Sequence, residues 1–397
     1  MKLAIVTYSL NIGGAEKSVL YMTKLFKKNG YNVEVIETER KGPWHNYFIN
    51  EGISVKTYNF HLLSIPYLHS LKISRKLKQY DVVFIIDSPF AQASLGKIKQ
   101  ETICFPQLRA NIQSMYFNAA SNDSQWNYVT AVSPLLKEEF IKLYPHLSDR
   151  ILVIPNGIKV SNFRNINIAE FERIRVVFIG RLDNDFKGVL VIPEILAKLT
   201  VRGYDITLTI VGDGPLRDEL LQELHNNVLG SQVNFLGFID HQEVHKVLQS
   251  HNFLLMPSIN EGFPNVMLEA MANQVIPIVS CLKGVTDQII QDSYNGFFGL
   301  PGNADSFVSA FERALEMKHK LKEVAENAYE TVKEKYSMEL VEKNYLELIK
   351  KAATNSIKRS GSIDIRLLKH YYRNAYLPVA FSNLQSWIST MFMKNSI

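Results

Sequence analysis

The chain has 397 residues, of which 46% are hydrophobic and 21% charged, an ordinary globular balance with room for two domains that each bury a core. No apolar run reaches the ~18 residues of a membrane span, and the apolar start at residues 3–6 is too short for a signal-peptide core. Net charge is +5, yet residues 1–165 carry 20 Lys/Arg against 12 Asp/Glu, residues 166–355 carry 18 against 26, and residues 356–397 carry 6 against 1; the first part and the tail therefore suit an anionic partner, for which nucleic acid, an acidic saccharide and an anionic membrane all serve.

Apolar strand-like runs alternate with helical periodicity along the chain. A strand over residues 3–8 precedes an amphipathic helix over about 15–28, and further strands are expected at 33–36, 82–86, 102–105, 128–132 and 152–154. A polar stretch at 157–174, with Asn-rich turns and no periodicity, reads as a linker. A second series places strands at 176–179, 206–211, 233–236, 253–256 and 275–279, followed by helices at 303–318, 320–335 and 338–352. Several strands are nearly unbroken in Val and Ile, the pattern of parallel strands covered on both faces. Two such series imply an α/β protein of two doubly wound domains, with a ligand at the carboxyl ends of the strands in the cleft between them. Cys104 and Cys281 fall in apolar strand-like segments without metal-ligand spacing and are expected as buried thiols in a reducing cytoplasm.

Gly13-Gly14 follows the first strand and opens a helix. Glycine lets the backbone approach a phosphate and a helix start attracts one; a plain tight turn has the same sequence. The strand at 82–86 runs into Asp87-Ser88-Pro89. Asp87 suits either a hydrogen bond from a sugar hydroxyl or the acceptor proton, or a turn aspartate before proline. Arg109 and the helical basic cluster His69, Lys72, Arg75, Lys76 and Lys78 are candidate anion contacts, with a solvated helix face as the alternative for the cluster. In the second series, Gly180-Arg181 ends a strand and Lys187-Gly188 stands at the start of the next helix. Two fixed cations there suit a diphosphate leaving group, whose developing charge they neutralise in place of a metal; a solvated basic pair is the alternative. Between them, Asp183-Asn184-Asp185 is formally the D-x-D of metal-dependent transferases, but pairing with the adjacent cations or facing solvent is expected. Gly212 and Gly214 allow close backbone approach at another strand end.

The densest signal is EGFPNVMLE at 261–269, between a buried-strand pattern and an apolar helix. Strand, Gly/Pro loop and helix start gather free N–H groups and the positive end of a helix dipole at one spot, an anion site. Pro264 suits the first turn of that helix. Glu261 and Glu269 beside the spot repel an anion unless they bind hydroxyls flanking it, and an anion flanked by hydroxyls describes a nucleoside diphosphate sugar. The chain has no GxGxxG for a nicotinamide cofactor and no GxSxG nucleophile. His241 and His245 share a helix face without a third ligand and read as surface residues.

Glu261 to Glu269 resembles the E-x7-E motif of the retaining glycosyltransferases of family 4, which have the two-domain GT-B fold, and the similarity extends across most of residues 1–355. The resemblance implies that Glu261 lies by the donor sugar. Gly262, Phe263, Pro264, Asn265 and Val266 then surround the diphosphate and sugar, and Glu269 holds the ribose. It implies further that Gly14 approaches the donor diphosphate or the acceptor, that Arg181 and Lys187 hold the diphosphate, and that the turns at Gly212, Gly237 and Phe238 line the nucleotide. This sequence departs from the pattern in two places: many members have His where Asp87 stands, and the spacing to Lys187 is one residue longer than in many members.

The implied protein is a cytoplasmic, metal-independent, retaining enzyme of the hexosyltransferase type. Its donor is a nucleoside diphosphate sugar, with no further cofactor and no nucleic-acid partner. Its acceptor is a saccharide or lipid-linked saccharide in cell-surface polysaccharide synthesis. Glu261, Arg181, Lys187 and Asp87 are the catalytic candidates, with Asp87 and Arg109 on the acceptor side. A sugar-nucleotide epimerase, a phosphorylase and a non-catalytic binding protein of the same fold are the alternatives; the joint presence of Arg181, Lys187, Glu261 and Glu269 argues against the last.

The expected domains are 1–165 on the acceptor side, 166–355 on the donor side with a final cross-over helix, and a basic amphipathic tail at 356–397. Over 363–376, Ile363, Leu367, Leu368, Tyr371 and Ala375 form one helical face, with Arg366, Lys369 and Arg373 on another. After Pro378, a second pattern aligns Phe381, Leu384, Trp387, Ile388, Met391 and Phe392. Two readings stand: peripheral binding at the anionic inner face of a membrane, or packing on the first domain.

Overall fold

The nearly unbroken Val/Ile runs become the inner strands of two parallel sheets in the computed structural model. The structure describes residues 1–11, 13–160, 174–226, 232–372 and 374–380, without the side chains of residues 184, 185, 241 and 242. One unit comprises Met1–Val132, Leu136–Ile154 and the chain from Glu342 onward; the other comprises Ser133–Leu135 and Pro155–Val341. The divisions thus fall near 154 and 341 rather than at 165 and 355.

The first unit runs β1 (Lys2–Thr7), α1 (Gly14–Lys28), β2 (Asn32–Glu37), α2 (His45–Asn50), β3 (Ser54–Thr57), α3 (Pro66–Leu77), β4 (Val82–Ile86), α4 (Pro89–Ser94), β5 (Ile103–Leu108), α5 (Gln113–Ala120), β6 (Val129–Ala131), α6 (Pro134–Leu143) and β7 (Ile151–Val153). Its strand order is β3-β2-β1-β4-β5-β6-β7. Leu3 pairs in register with Val33 on one side and Val82 on the other, both parallel. Helices cover both faces, so Leu3 to Val6 and Val82 to Phe84 have no exposed surface. Glu37, at the end of β2, is wholly buried and fully engaged: it accepts from the amides of Leu10 and Gly42 and from Thr57 Oγ1, and pairs with His45 Nδ1 at 2.6 Å. That satisfied carboxylate fixes the loop leaving β1.

The second unit runs β8 (Ile174–Ile179), α7 (Asn184–Lys187), α8 (Ile192–Val201), β9 (Ile206–Val211), α9 (Arg217–Asn226), β10 (Val233–Gly237), α10 (His241–Gln249), β11 (Phe253–Met256), α11 (Asn265–Ala272), β12 (Ile276–Ser280), β13 (Phe297–Gly299), α12 (Ala304–Glu316) and α13 (Leu321–Lys335). Its strand order is β10-β9-β8-β11-β12-β13. The alternation along β8 divides the core. Val176 and Phe178 join the layer formed with α8 and α12, while Val177 joins the opposite layer with α11 and α13.

α14 (Met338–Ala353) carries the chain from the second unit into the first. It begins at an Ile158–Ser337 bridge. Along its first half Glu342 is bonded to Lys28 and Asn29, and Tyr345 is buried against Phe26 and Phe84. The tail then docks on the first unit. Arg359 donates to the carbonyls of Lys99, Thr102 and Gln125, and α15 (Ile365–Tyr372) lies against α3 and α4. Of the apolar face for which two readings stood, Ile363, Leu367, Leu368 and Ala375 are buried and Tyr371 is half-buried, which is the packing reading rather than the lipid one. The pattern at 381–392 and Arg373 lie outside the described residues.

Three further expectations are corrected. Cys281 is exposed, because it leaves the end of β12; only Cys104 is buried. The edge strands β3 and β13 are additions, too short or too exposed to leave an apolar run. His69 does not join the surface cluster: it is buried and its Nε2 pairs with the Thr38 carbonyl at 2.7 Å. No helix among the described residues is long and apolar enough to cross a membrane.

Candidate active site

In the second unit the strand ends are laced together by backbone hydrogen bonds. Gly180 N donates to Val211 O, Leu182 N to Asp213 O, and Gly212 N to Gly237 O at 2.8 Å. Gly212 has φ +135°, and a Cβ there would stand 1.9 Å from Gly180 O. Its missing side chain therefore admits the neighbouring strand end rather than a ligand. Gly237 also has positive φ, and the Phe238 ring beside it is 64% exposed.

Asp183 accepts from Phe186 N and so caps the short α7. It also receives Arg181 Nε at 2.5 Å. One half of the formal D-x-D is thus a helix cap paired with a cation; the Asp185 side chain lies outside the described residues. Among the described residues no group of three or more His, Cys, Asp and Glu side chains is placed to hold a metal. Arg181 remains 65% exposed in its side chain. Gly188, in the left-handed conformation, lets α7 press on the Pro257 carbonyl, 2.3 Å from where a Cβ would sit.

That approach delivers Lys187 to Glu261. Lys187 Nζ is 2.6 Å from Glu261 Oε1, and Ser258 Oγ donates to the same oxygen at 2.8 Å. The carboxylate is 9% exposed and the ammonium side chain 24%. Glu261 Oε1 therefore has two donors fixing it, which leaves Oε2 for a ligand hydroxyl. Beyond Glu261 the chain turns into α11, with Pro264 as N-cap rather than in the first turn. The amides of Gly262, Phe263 and Val266 carry no hydrogen bond among the described residues, and Asn156 Nδ2 holds the Asn265 side chain at 2.9 Å. Glu269 stands one turn into α11, half-buried. The arrangement offers free N–H groups at a helix start, a cation beside them, and a carboxylate on either side.

In the first unit, Asp87 follows β4 with φ +47°, a conformation uncommon for a non-glycine residue. Burial holds its carboxyl above the usual aspartate range, with Asn118 Nδ2 3.5 Å away opposing the shift. Glu39 is also pushed up by burial, while Tyr372 of α15 donates to its Oε1 at 3.1 Å. The Tyr372 ring stacks on Phe90 with centroids 5.0 Å apart. Tyr371, raised to about 12 by burial and by Asp87 and Glu39, completes the group.

Two expected residues are placed differently. Arg109 is 7% exposed, donates to Gln107 Oε1 at 2.9 Å and is drawn to Tyr345 and Glu16; it is part of the core, not a surface anion contact. At Gly13-Gly14 the anion position of the helix start is taken by Glu16, whose carboxylate accepts from Asn11 N at 3.2 Å and from its own amide. The sequence reading missed Ser258, Glu39 and Tyr372. A serine just after a buried strand and before Glu261 was a usable signal; nothing local pointed to the other two.

Comparison with known proteins bears on most of the chain. The family model for glycosyltransferase family 4 matches residues 12–162, and that for glycosyl transferases group 1 matches residues 161–331. Two uncharacterised glycosyltransferases of Methanocaldococcus jannaschii are similar: one is 31% identical over 54% of this chain and 57% of its own length, the other 24% identical over 83% and 92%. The phosphatidylinositol N-acetylglucosaminyltransferase gpi3 subunit of Schizosaccharomyces pombe is 28% identical over 63% of this chain and 53% of its own. Several of these matches thus span only about half of the relative. HepE of Anabaena, solved with UDP, has the same fold, with a TM-score of 0.76 at 18% identity over 88% of this chain and 100% of that one. The lipopolysaccharide outer core galactosyltransferase WaaB has a TM-score of 0.70 at 21% identity over 88% and 99%. With adjoining family models running from residue 12 to residue 331 over two Rossmann-like units, the chain belongs to glycosyltransferase family 4 and has the GT-B fold.

Proposed function

We propose that the protein transfers a sugar, with retention of configuration and without a metal ion, from a nucleoside diphosphate sugar to a saccharide or lipid-linked saccharide acceptor in cell-surface polysaccharide synthesis. The observation that carries this reading is the Lys187–Glu261 pair, 2.6 Å apart, beside the open amides of Gly262, Phe263 and Val266. The diphosphate docks on those amides, with Arg181 and the remaining N–H bonds of Lys187 against its oxygens. As the anomeric C–O bond breaks, negative charge grows on the diphosphate, and these donors stabilise the transition state more than the ground state. Glu261, its Oε1 held, turns Oε2 toward the donor sugar hydroxyls. The departing diphosphate oxygen takes the acceptor proton on the face it leaves, so the new bond forms on that same face. Glu269 binds the ribose hydroxyls, and the turn at Gly237 and Phe238 lines the base. Asp87 binds the acceptor hydroxyl.

The complexes of HepE with UDP and UDP-glucose support uridine nucleotides as the first donors to test. The Schizosaccharomyces pombe relative, named for phosphatidylinositol, supports a lipid-borne acceptor. We place the reaction in the cytoplasm, at the inner face of an anionic membrane. Incubation with a panel of nucleotide sugars and membrane extract, with and without EDTA, tests the reading. Released nucleoside diphosphate together with a new α-linked product in EDTA is expected; epimerised nucleotide sugar, or activity that returns only with added metal, refutes it.

A further inference from the structure

We propose that the outer face of α3, with the loop before it and the tail segment at 374–380, is the surface by which this protein sits on an anionic lipid bilayer; the proposal rests on the membrane-face reading above and names the surface. α3 buries Ile73, Ser74 and Leu77 and exposes Leu68, Lys72, Arg75 and Lys76. Spacings of four, seven and eight from Leu68 put these on one stripe. The stripe is apolar at its N-terminal end and basic beyond. At the apolar end Leu62 is 69%, Leu63 72% and Leu68 55% exposed. Tyr376, 51% exposed, lies with its ring 5.3 Å from that of Tyr67. The tail is laid along this loop: Tyr67 N donates to Ala375 O and Ala380 N to Leu62 O.

At the basic end Arg75, Lys78, Lys97 and Arg359 line a recess of ≈440 Å³. Arg359 is engaged by backbone carbonyls, but Arg75, Lys78 and Lys97 make no ion pair among the described residues. Cations gathered in one recess without counter-charge repel one another unless an anion joins them. Single exposed leucines need no explanation. Three leucines and a tyrosine at one end of a helix whose other end lines such a recess match a bilayer, where apolar side chains enter the acyl boundary while lysines meet phosphate. A soluble polyanion would neutralise the cations and leave the leucines in water.

Co-sedimentation of the full chain with phosphatidylglycerol-containing vesicles and with pure phosphatidylcholine vesicles tests this. Each cation near an anionic leaflet favours binding about fivefold, so R75Q/K76Q/K78Q is expected to lose more than about a hundredfold in partitioning, and L62S/L63S at least about tenfold. All of these side chains are exposed, so melting temperatures should match the parent. Parent-like sedimentation of both variants on anionic vesicles overturns the proposal, as does equal parent binding to both vesicle types. Loss in the first variant alone, with L62S/L63S unchanged, overturns it in favour of a soluble polyanion. Release of nucleoside diphosphate in vesicle-free solution should be unchanged in both variants; its absence in the parent counts against the transferase reading, not against the surface.

Discussion

Lys187→Ala separates two tasks that one ammonium performs. At 2.6 Å its attraction to Glu261 is about 6 kcal/mol in a medium of effective dielectric ~20, most of it offset by the dehydration of both ions. Removing it leaves Glu261 with Ser258 as donor, and since the lysine side chain is a quarter exposed, a net stability loss of about 1–3 kcal/mol is expected. For a unit of this size that lowers Tm by several degrees, at roughly 2–4 °C per kcal/mol. The rate should suffer more. Loss of one donor to the leaving diphosphate costs about 3 kcal/mol, or about a hundredfold in kcat. The discriminating assay is a cycle with Glu261→Gln, reading released nucleoside diphosphate at saturating donor. If Lys187 acts on the diphosphate, the double variant falls well below either single one; if it only orients Glu261, the double variant matches Glu261→Gln. A folded Lys187→Ala enzyme within about threefold of parental turnover refutes the reasoning.

Three further outcomes are expected. Glu269→Ala should weaken calorimetric affinity for the free nucleoside diphosphate, while Glu261→Ala should mainly slow transfer; equal affinity losses contradict the division of roles. Gly212→Ala should unfold or strongly destabilise the second unit, by more than about 3 kcal/mol, because the new methyl would lie 1.9 Å from Gly180 O; an unchanged denaturation midpoint is the contrary result. Asp87→Asn should raise Tm at neutral pH while depressing transfer. Burial raises the Asp87 pKa in the folded state, so its stability contribution is present below the unfolded pKa and lost as pH rises through the folded one. Asparagine tolerates the positive φ and stays neutral, so its advantage should vanish below the ordinary aspartate range; a pH-independent difference in Tm tells against this account.

The inner strands were legible because burial on both faces demands unbroken apolar runs, and 82–86 and 206–211 coincide with the observed β4 and β9. β3 was not, since SVKT at an edge alternates half-buried with exposed residues and buries nothing fully. The strand–loop–helix around Glu261 was readable because its parts are adjacent in sequence. Its ion pair to Lys187 bridges two separate strand ends and depends on how α7 is pressed down at Gly188, which no local pattern specifies. Arg109 illustrates the limit for charge: a buried arginine held by Gln107 and Tyr345 has the same letter as a surface one. The α15 pattern had a comparable ambiguity, since an apolar helical face looks alike whether a lipid or a protein core will cover it.

The placement of residues 342–372 gives the chain an unusual order of completion. The first unit to leave the ribosome is the last to be finished, because α14, Arg359 and α15 arrive only after the whole second unit has been made. At translation speeds of roughly 5–20 residues per second, the 1–154 segment waits about ten to forty seconds for these parts. During that interval Phe90 lacks the stacked Tyr372, and Cys104 lacks Arg359 beside it. A nascent chain in this state is a natural client for chaperones, and a premature stop near the end of the message would damage the beginning of the protein rather than the part just made.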